Sequence, residues 1–468
     1  MSSTQSIILV LTGCAVGPNY SPPEMEMPKQ WLHSSANHFT IVPEANDVGW
    51  WEIFNDEDLD SLIQQAIVNN KDVMTAFYKI EAARALRDAT IGQYYPSINT
   101  TGSYSRSLYS SISQVPVSSK PFNLYTWGFS FLWEVDLFGK IKRSAESSQA
   151  SDQASIEDYR DIMVTLLSDV CNNYIELRTT QERIQYAESS VETQRKTLEL
   201  TKSLYQAELV SELDVRQAEF NLANTESQIP LLRVTEEASF NSLAVLVGRM
   251  PGTLRNELSA SKSLSAVREN IDISLPANLI RQRPDIRRAE RQLAAQTANI
   301  GVTEADLYPS LTLSGNIQTQ SLNFSGLGNL NNTSYSYGPG ITWNIFNAGI
   351  TRNNVKIQKA IVAELLSDWQ NTVLTAVEDV QNAMYSYIQD ESRRKSLEES
   401  VVASRRSVDL VQNLYASGLT DFQNVLDTEH ALFLQQDRLA VSKGLLLQDI
   451  VLIYKAFGAG WQNIEIQK

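Results

Sequence analysis

The sequence has no run of about 18 apolar residues, so no segment can cross a membrane as a helix. Its mean hydropathy is −0.24. It has only two cysteines, too few for a disulfide framework or a four-thiolate zinc site. Three histidines, His33, His38 and His430, are too sparse and wrongly spaced for a zinc-protease pattern. Neither a glycine-rich phosphate loop nor a nucleophile elbow occurs. Positive charge is scarce. There are 39 Lys and Arg against 54 Asp and Glu, a net −15, which argues against a nucleic-acid partner because phosphate binding needs clustered cations. Proline and glycine are missing from Ile141 to Tyr205 and again from Thr351 to Ala416. What is present is a globular composition, 43% hydrophobic and 20% charged, in 468 residues, a length that by itself suggests about three domains. The second cysteine, Cys171, reads as a small buried residue of a helix. With no catalytic constellation and no cofactor motif, the chain reads as a conduit or interaction protein and not an enzyme.

The chain repeats itself. Tyr95-Pro96-Ser97 recurs as Tyr308-Pro309-Ser310, Leu204-Tyr205 as Leu414-Tyr415, Asp169-Val170 as Asp379-Val380, and Trp133 as Trp343. Val247-Gly248 and Phe457-Gly458 close equivalent helices, all at an offset of about 210 residues. Several matches at one offset, in different elements, imply a duplicated unit. Each copy reads as helix, strand, strand, long helix, helix.

The strands alternate. Tyr125, Trp127, Phe129, Phe131, Trp133 and Val135 take every second position, as do Tyr335, Tyr337, Pro339, Ile341, Trp343 and Ile345, and Leu311, Leu313, Gly315 and Ile317. A fainter fourth strand covers Ile98 to Arg106. Period-two alternation gives one apolar and one polar face. A half-buried sheet of a soluble sandwich would do the same. The aromatic character and a length of about 9–11 residues fit transmembrane β-strands, with Trp127, Phe129, Phe131 and Trp133 facing lipid. Four strands cannot close a membrane barrel, and an open edge in lipid is untenable. Two chains would close a narrow, filled barrel, whereas three would supply twelve strands and room for a channel. A homotrimer is therefore expected.

The two stretches lacking proline and glycine predict helices of about 65 residues, roughly 100 Å each at 1.5 Å per residue. Helices this long need a partner along their length. The first turns back at Glu208-Leu209-Val210-Ser211, the second at Gly418-Leu419-Thr420-Asp421. Gly418 fits the left-handed position after a helix, and Ser211 and Asp421 fit N-caps. Pro230 should bend or break the first returning helix.

At the amino terminus Leu11-Thr12-Gly13-Cys14 resembles a bacterial lipoprotein processing site, with Cys14 the lipidated residue. Residues 17–28 read as a proline-rich linker; Met25 and Met27 alone make a weak soft-metal pair.

Taken together these residues resemble the TolC-like outer-membrane efflux proteins, in particular their NodT-type lipoprotein branch. The resemblance rests on Leu-Thr-Gly-Cys at 11–14, Gly-Pro-Asn-Tyr at 17–20, Trp50-Trp51 with Phe54-Asn55-Asp56, and Leu137-Phe138-Gly139-Lys140. It rests further on Arg283-Pro284-Asp285-Ile286 with Ala289-Glu290, and on Tyr308-Pro309-Ser310. It covers the chain from Cys14 to about Trp461. It implies an α+β membrane protein: a trimeric twelve-stranded transmembrane β-barrel continued by a long periplasmic α-helical barrel. It implies the exit duct of a tripartite efflux pump, with a periplasmic adaptor and an inner-membrane RND-type transporter as partners and no cofactor. The adaptor would dock on the tips, Glu208, Leu209, Val210 and Ser211 with Gly418, Leu419 and Thr420. The resemblance makes Tyr415 a gate tyrosine and Asp427 a pore-constricting aspartate. The second such position is Asn424 here, so Asp421 is the candidate for a second acidic ring.

The expected organisation is a signal remnant (1–13), a lipid-anchored linker (14–57), repeat 1 (58–257), an inter-repeat linker (258–274), repeat 2 (275–461) and a tail (462–468). Strands are expected at about 96–106, 124–136, 309–319 and 335–346, and helical hairpins at about 141–248 and 350–458. Three copies would carry three times −15, or −45, and favour cation entry. The alternative of the same fold is a type I protein-secretion duct, against which the lipid cysteine and the Arg-Pro-Asp motif count. A nutrient porin would need many more strands per chain. A soluble coiled-coil scaffold would leave the aromatic strand faces unexplained.

Overall fold

Period-two alternation and long runs without proline or glycine sort the chain into strands and helices that come in one order twice. The computed structural model describes residues 15–32, 38–42, 49–108, 120–262 and 271–462. Cys14 and His33 lie outside the described residues. In chain order the elements are β1 (Phe39–Ile41), α1 (Glu57–Asn69), α2 (Lys71–Gly92), β2 (Ser97–Ser107), β3 (Phe122–Val135), α3 (Lys140–Gln206), α4 (Glu212–Glu226) and α5 (Gln228–Leu246). They continue with α6 (Arg255–Leu258), β4 (Ile271–Ile273), α7 (Leu279–Gln282), α8 (Pro284–Ala305), β5 (Ser310–Ser321), β6 (Thr333–Thr342), α9 (Ile350–Ala416) and α10 (Phe422–Phe457).

The duplication is plain in the element lengths. α3 and α9 have 67 residues each, and α2 and α8 have 22 each. The returning helix differs between the copies. α10 is continuous over 36 residues, whereas its counterpart is split at Ser227 into α4 and α5. Pro230 occupies the third position of α5, where the missing N–H would have had no intrahelical acceptor.

Two compact units result. Of the described residues, unit 1 takes those within 1–24, 79–156 and 288–369, and unit 2 those within 25–78, 157–287 and 370–468. Unit 1 holds the four-stranded antiparallel sheet, in the order β2-β3-β5-β6. β2 and β6 are its edges. Ser310 pairs with Thr342 at one end of the β5–β6 ladder. β6 stops there because β5 starts there, so Trp343 and Ile345 lie past the strand.

The pleat sets the sheet's faces. Phe129 stands opposite Ile317, Phe131 opposite Gly315 and Trp133 opposite Leu313, so all lie on one face. The ring of Phe131 covers Gly315, where any β-carbon would collide with it. Two indoles tie strand ends to the helices that precede them in each copy. Trp133 Nε1 donates to the Tyr94 carbonyl at 2.9 Å, and Trp343 Nε1 donates to the Leu307 carbonyl at 3.1 Å.

Unit 1 also fixes the amino-terminal segment. Arg143 of α3, nearly fully buried, donates to the carbonyls of Val16 (3.0 Å) and Gly17 (3.2 Å) and to Asn19 Oδ1 (2.8 Å). Gly17 has φ 86° and abuts Gly301 of α8 so closely that a β-carbon has no room. Tyr20 donates to Glu290 at 3.0 Å, and the Arg291 guanidinium lies 5.5 Å from its ring.

Unit 2 packs around a short 3-10 turn, Trp50–Phe54. Trp50 stacks on Tyr454 with centroids 5.0 Å apart. Asp56 caps α1, accepting from the Asp58 and Leu59 N–H groups, and takes the Tyr174 hydroxyl at 2.8 Å. A two-stranded parallel pair, β1 with β4, completes unit 2. Arg283 of the Arg-Pro-Asp motif grips Asp285 at 2.7 Å and Asp379 of α9 at 3.0 Å, and donates to the Ala456 carbonyl at the end of α10. Arg287 reaches Glu157 at 2.7 Å and stands 5.3 Å from the Trp461 ring. No described helix is long and apolar enough to cross a membrane.

Candidate functional site

The ends of the two helical hairpins lie together within unit 2. Leu198, Val215, Ala218, Tyr415, Phe422 and Val425 form one buried cluster there, with Leu204, Val210, Val411 and Leu426 packed against it. Residues from both repeats contribute, so burying apolar surface binds the two tips side by side.

Both turns use the same cap. Glu208 N–H donates to the Tyr205 carbonyl and Leu209 N–H to the Leu204 carbonyl, each at 2.9 Å. Gly418 N–H donates to Tyr415 and Leu419 N–H to Leu414, again at 2.9 Å each. This pair of bonds, spanning three and five residues, is the Schellman cap, which needs a left-handed residue after the helix. Gly418 supplies it at φ 70° and Glu208 at φ 62°. A side-chain residue in that conformation costs on the order of 1 kcal/mol relative to glycine. The first tip has Glu208 where the second has glycine, yet the backbone turns the same way.

The exposed part of each tip is apolar at its point. Leu209 is 71% exposed and Leu419 73%. Ser211 is the N-cap of α4, and its N–H donates to Asp214 at 3.3 Å. Asp421 occupies the N-cap position of α10, and its side chain makes no capping bond. Asn424 donates to Thr420 Oγ1 at 2.9 Å, and Asp427 accepts from Gln423 at 2.9 Å. Asp421 and Asp427 are both exposed. Tyr415 is only 6% exposed, tilted against Phe422 with centroids 5.2 Å apart. Within one chain its ring serves the cluster beneath the tip.

Beside it is a polar feature that composition and spacing did not single out. Glu429 of α10, 4% exposed, accepts from Thr197 of α3 at 2.7 Å and from Gln412 of α9 at 2.9 Å. Burial pushes its carboxyl above the ordinary glutamate value. A cavity of about 320 Å³, lined by Thr193, Lys196, Thr197, Leu200, Gln412, Tyr415 and Val425, adjoins this contact. The signal was present as a charged residue at a helix position flanked by Val425 and Phe433, but one polar residue in an apolar stripe is a weak flag.

Further from the tips, Asp449 of α10 faces Asp390 of α9. Burial, and then the Asp390 charge, push Asp449 up to about 7. Cys171 is fully buried, and burial holds its thiol far above the usual range, so it is no nucleophile. Among the described residues no group of three or more His, Cys, Asp or Glu could hold a metal. On the sheet, Trp127 and Phe129 are exposed, while Phe131 and Trp133 are half-buried.

The profile of the family described as "Outer membrane efflux protein" matches residues 62–249 and 275–459, one match per repeat. Nodulation protein T of Rhizobium leguminosarum bv. trifolii is 31% identical over 464 residues, covering 99% of this chain and 98% of that protein. The cation efflux system protein CusC of Escherichia coli O6:H1 is 28% identical and covers 98% of both chains. The solved outer-membrane channel OprN superposes with a TM-score of 0.89 at 33% identity, over 96% of this chain and all of that one.

Proposed function

The chain belongs to the outer membrane efflux protein family, and from that premise we propose that three copies close one duct gated at the hairpin tips. The protein is an outer-membrane efflux channel that extends into the periplasm. The observation that carries the trimer is the sheet whose edges, β2 and β6, have no further strand paired to them among the described residues. In lipid such edges leave N–H and C=O groups unsatisfied, at several kcal/mol per group. Pairing β6 of one copy with β2 of the next satisfies them, and three copies give twelve strands with room for a lumen. Trp127, Phe129, Phe131 and Trp133 then face lipid, and the polar alternate residues face the interior.

The duct does no chemistry of its own and needs no cofactor. As the exit member of a tripartite pump it receives substrate from a periplasmic adaptor and an inner-membrane RND-type transporter. The adaptor docks on Glu208, Leu209, Val210 and Ser211 and on Gly418, Leu419 and Thr420. Asp421 and Asp427, exposed near the tips, form acidic rings when three copies converge. Like charges around an axis repel one another and attract cations. Tyr415 supports this gate from beneath. Cys14, lipidated, anchors each copy, and the Arg143 grip on residues 16–19 ties that anchor to unit 1.

The test is electrical. Full-length protein inserted into a planar bilayer should give discrete conductance steps, small in the resting state and blocked by multivalent cations added on the tip side. An assembled, membrane-inserted protein that yields no steps would overturn the duct reading.

A further inference from the structure

One tip carries a residue that its own backbone disfavours. Gly418 and Glu208 hold equivalent places in two Schellman caps with the same hydrogen bonds. At Gly418 a β-carbon would meet nothing within 4 Å, so the position is open and glycine is there for the backbone alone. At Glu208 the fold accepts a strained left-handed conformation, φ 62°, that glycine would relieve. Packing does not repay it, because Glu208 is exposed.

Nor does charge pairing within the chain. The other charged groups of this tip are engaged. Arg216 bridges Glu212 at 2.9 Å and Glu219 at 3.0 Å, Lys202 reaches Glu219 at 3.2 Å, and Asp214 accepts from Ser211. The Glu208 carboxylate has no hydrogen-bond or ion-pair partner among the described residues. A strained, solvent-facing carboxylate with no internal partner stands directly beside Leu209, the exposed apolar point of the tip. That arrangement suits recognition: an apolar knob for contact, with an uncommitted charge beside it for selectivity.

We infer that Glu208 is the specificity-determining residue of the docking end, receiving an arginine or lysine side chain from the periplasmic adaptor. The second tip, with Gly418 in the same place, offers no charge at that position; its carboxylate, Asp421, stands three residues further on at the N-cap of α10. The two tips of one chain are therefore not interchangeable for the partner. This inference rests on the proposed docking of an adaptor at the tips and adds which residue reads it and by what chemistry. A charge-assisted bond at a rim is short, directional and weakened by salt.

The experiment uses the full-length protein in nanodiscs and the adaptor isolated by its co-purification with the wild-type chain. Binding is measured at low and high salt for wild type, Glu208→Gln, Glu208→Gly, Leu209→Asp and Leu419→Asp. Both Glu208 variants should weaken binding about tenfold at low salt, with the difference shrinking at high salt. Glu208→Gly should also raise the melting temperature as the strain is relieved. If the leucine variants lose binding while the Glu208 variants bind like wild type at both salts, docking at the tips stands and the role of Glu208 falls. If no adaptor co-purifies, or the leucine variants also bind like wild type, docking at the tips falls and the inference with it. If the Glu208 variants lower the stability of the assembly and leave adaptor affinity unchanged, the carboxylate works between copies of this chain and the inference is overturned.

Discussion

At the scale of single residues, the half-buried carboxyl group of Asp449 on α10 sets a pH dependence. The unfolded chain releases the Asp449 proton near pH 4, and the folded chain keeps it to about 7. Between these values the folded state binds more protons, so stability from this group falls as pH rises through the window and is level above it. Asp449→Asn should therefore stabilise the fold at pH 8 by on the order of 1 kcal/mol after allowing for partial exposure, seen as a higher melting temperature, and change little at pH 4. Equal effects at both pH values in thermal unfolding would show that Asp449 is not the titrating group. The residues that made the family legible act differently. Arg283, Asp56, Gly17, Tyr20 and Glu290 hold helix ends, cap a helix or fasten the amino-terminal segment. Their spacing was readable because fixed backbone contacts demand fixed residues. Glu429 and Asp449 were not readable, since their partners Thr197, Gln412 and Asp390 lie 17 to 232 residues away or on another helix.

Among the elements, alternation announced strands and the lack of proline and glycine announced the two 67-residue helices. What alternation could not give was where a ladder ends. Trp343 continues the period-two pattern but lies beyond β6, because its partner strand begins at Ser310. The first tip has Glu208 where the second has Gly418. Glu208 adopts the same left-handed turn, and the difference between the tips is chemical. The proposed gate belongs to this scale, since its charges sit at the start of α10 and act only as rings of three. Replacing both Asp421 and Asp427 by alanine should raise single-channel conductance severalfold and weaken block by multivalent cations. Unchanged conductance and block would take both residues out of the gate.

For the whole molecule, the length that suggested three domains resolves into a duplication, and the family profile matches once in each copy. The negative mean hydropathy conceals the sheet, because a strand with one polar face averages out in any hydropathy window. A four-stranded sheet with open edges is incomplete as a membrane structure. The account therefore depends on assembly more than on any side chain. The most direct measurement is the native mass of the full-length protein in lipid nanodiscs. Three times 52.4 kDa, about 157 kDa of protein, is the predicted value. A membrane-embedded single chain with its strands intact, or a stable pair, would contradict the account.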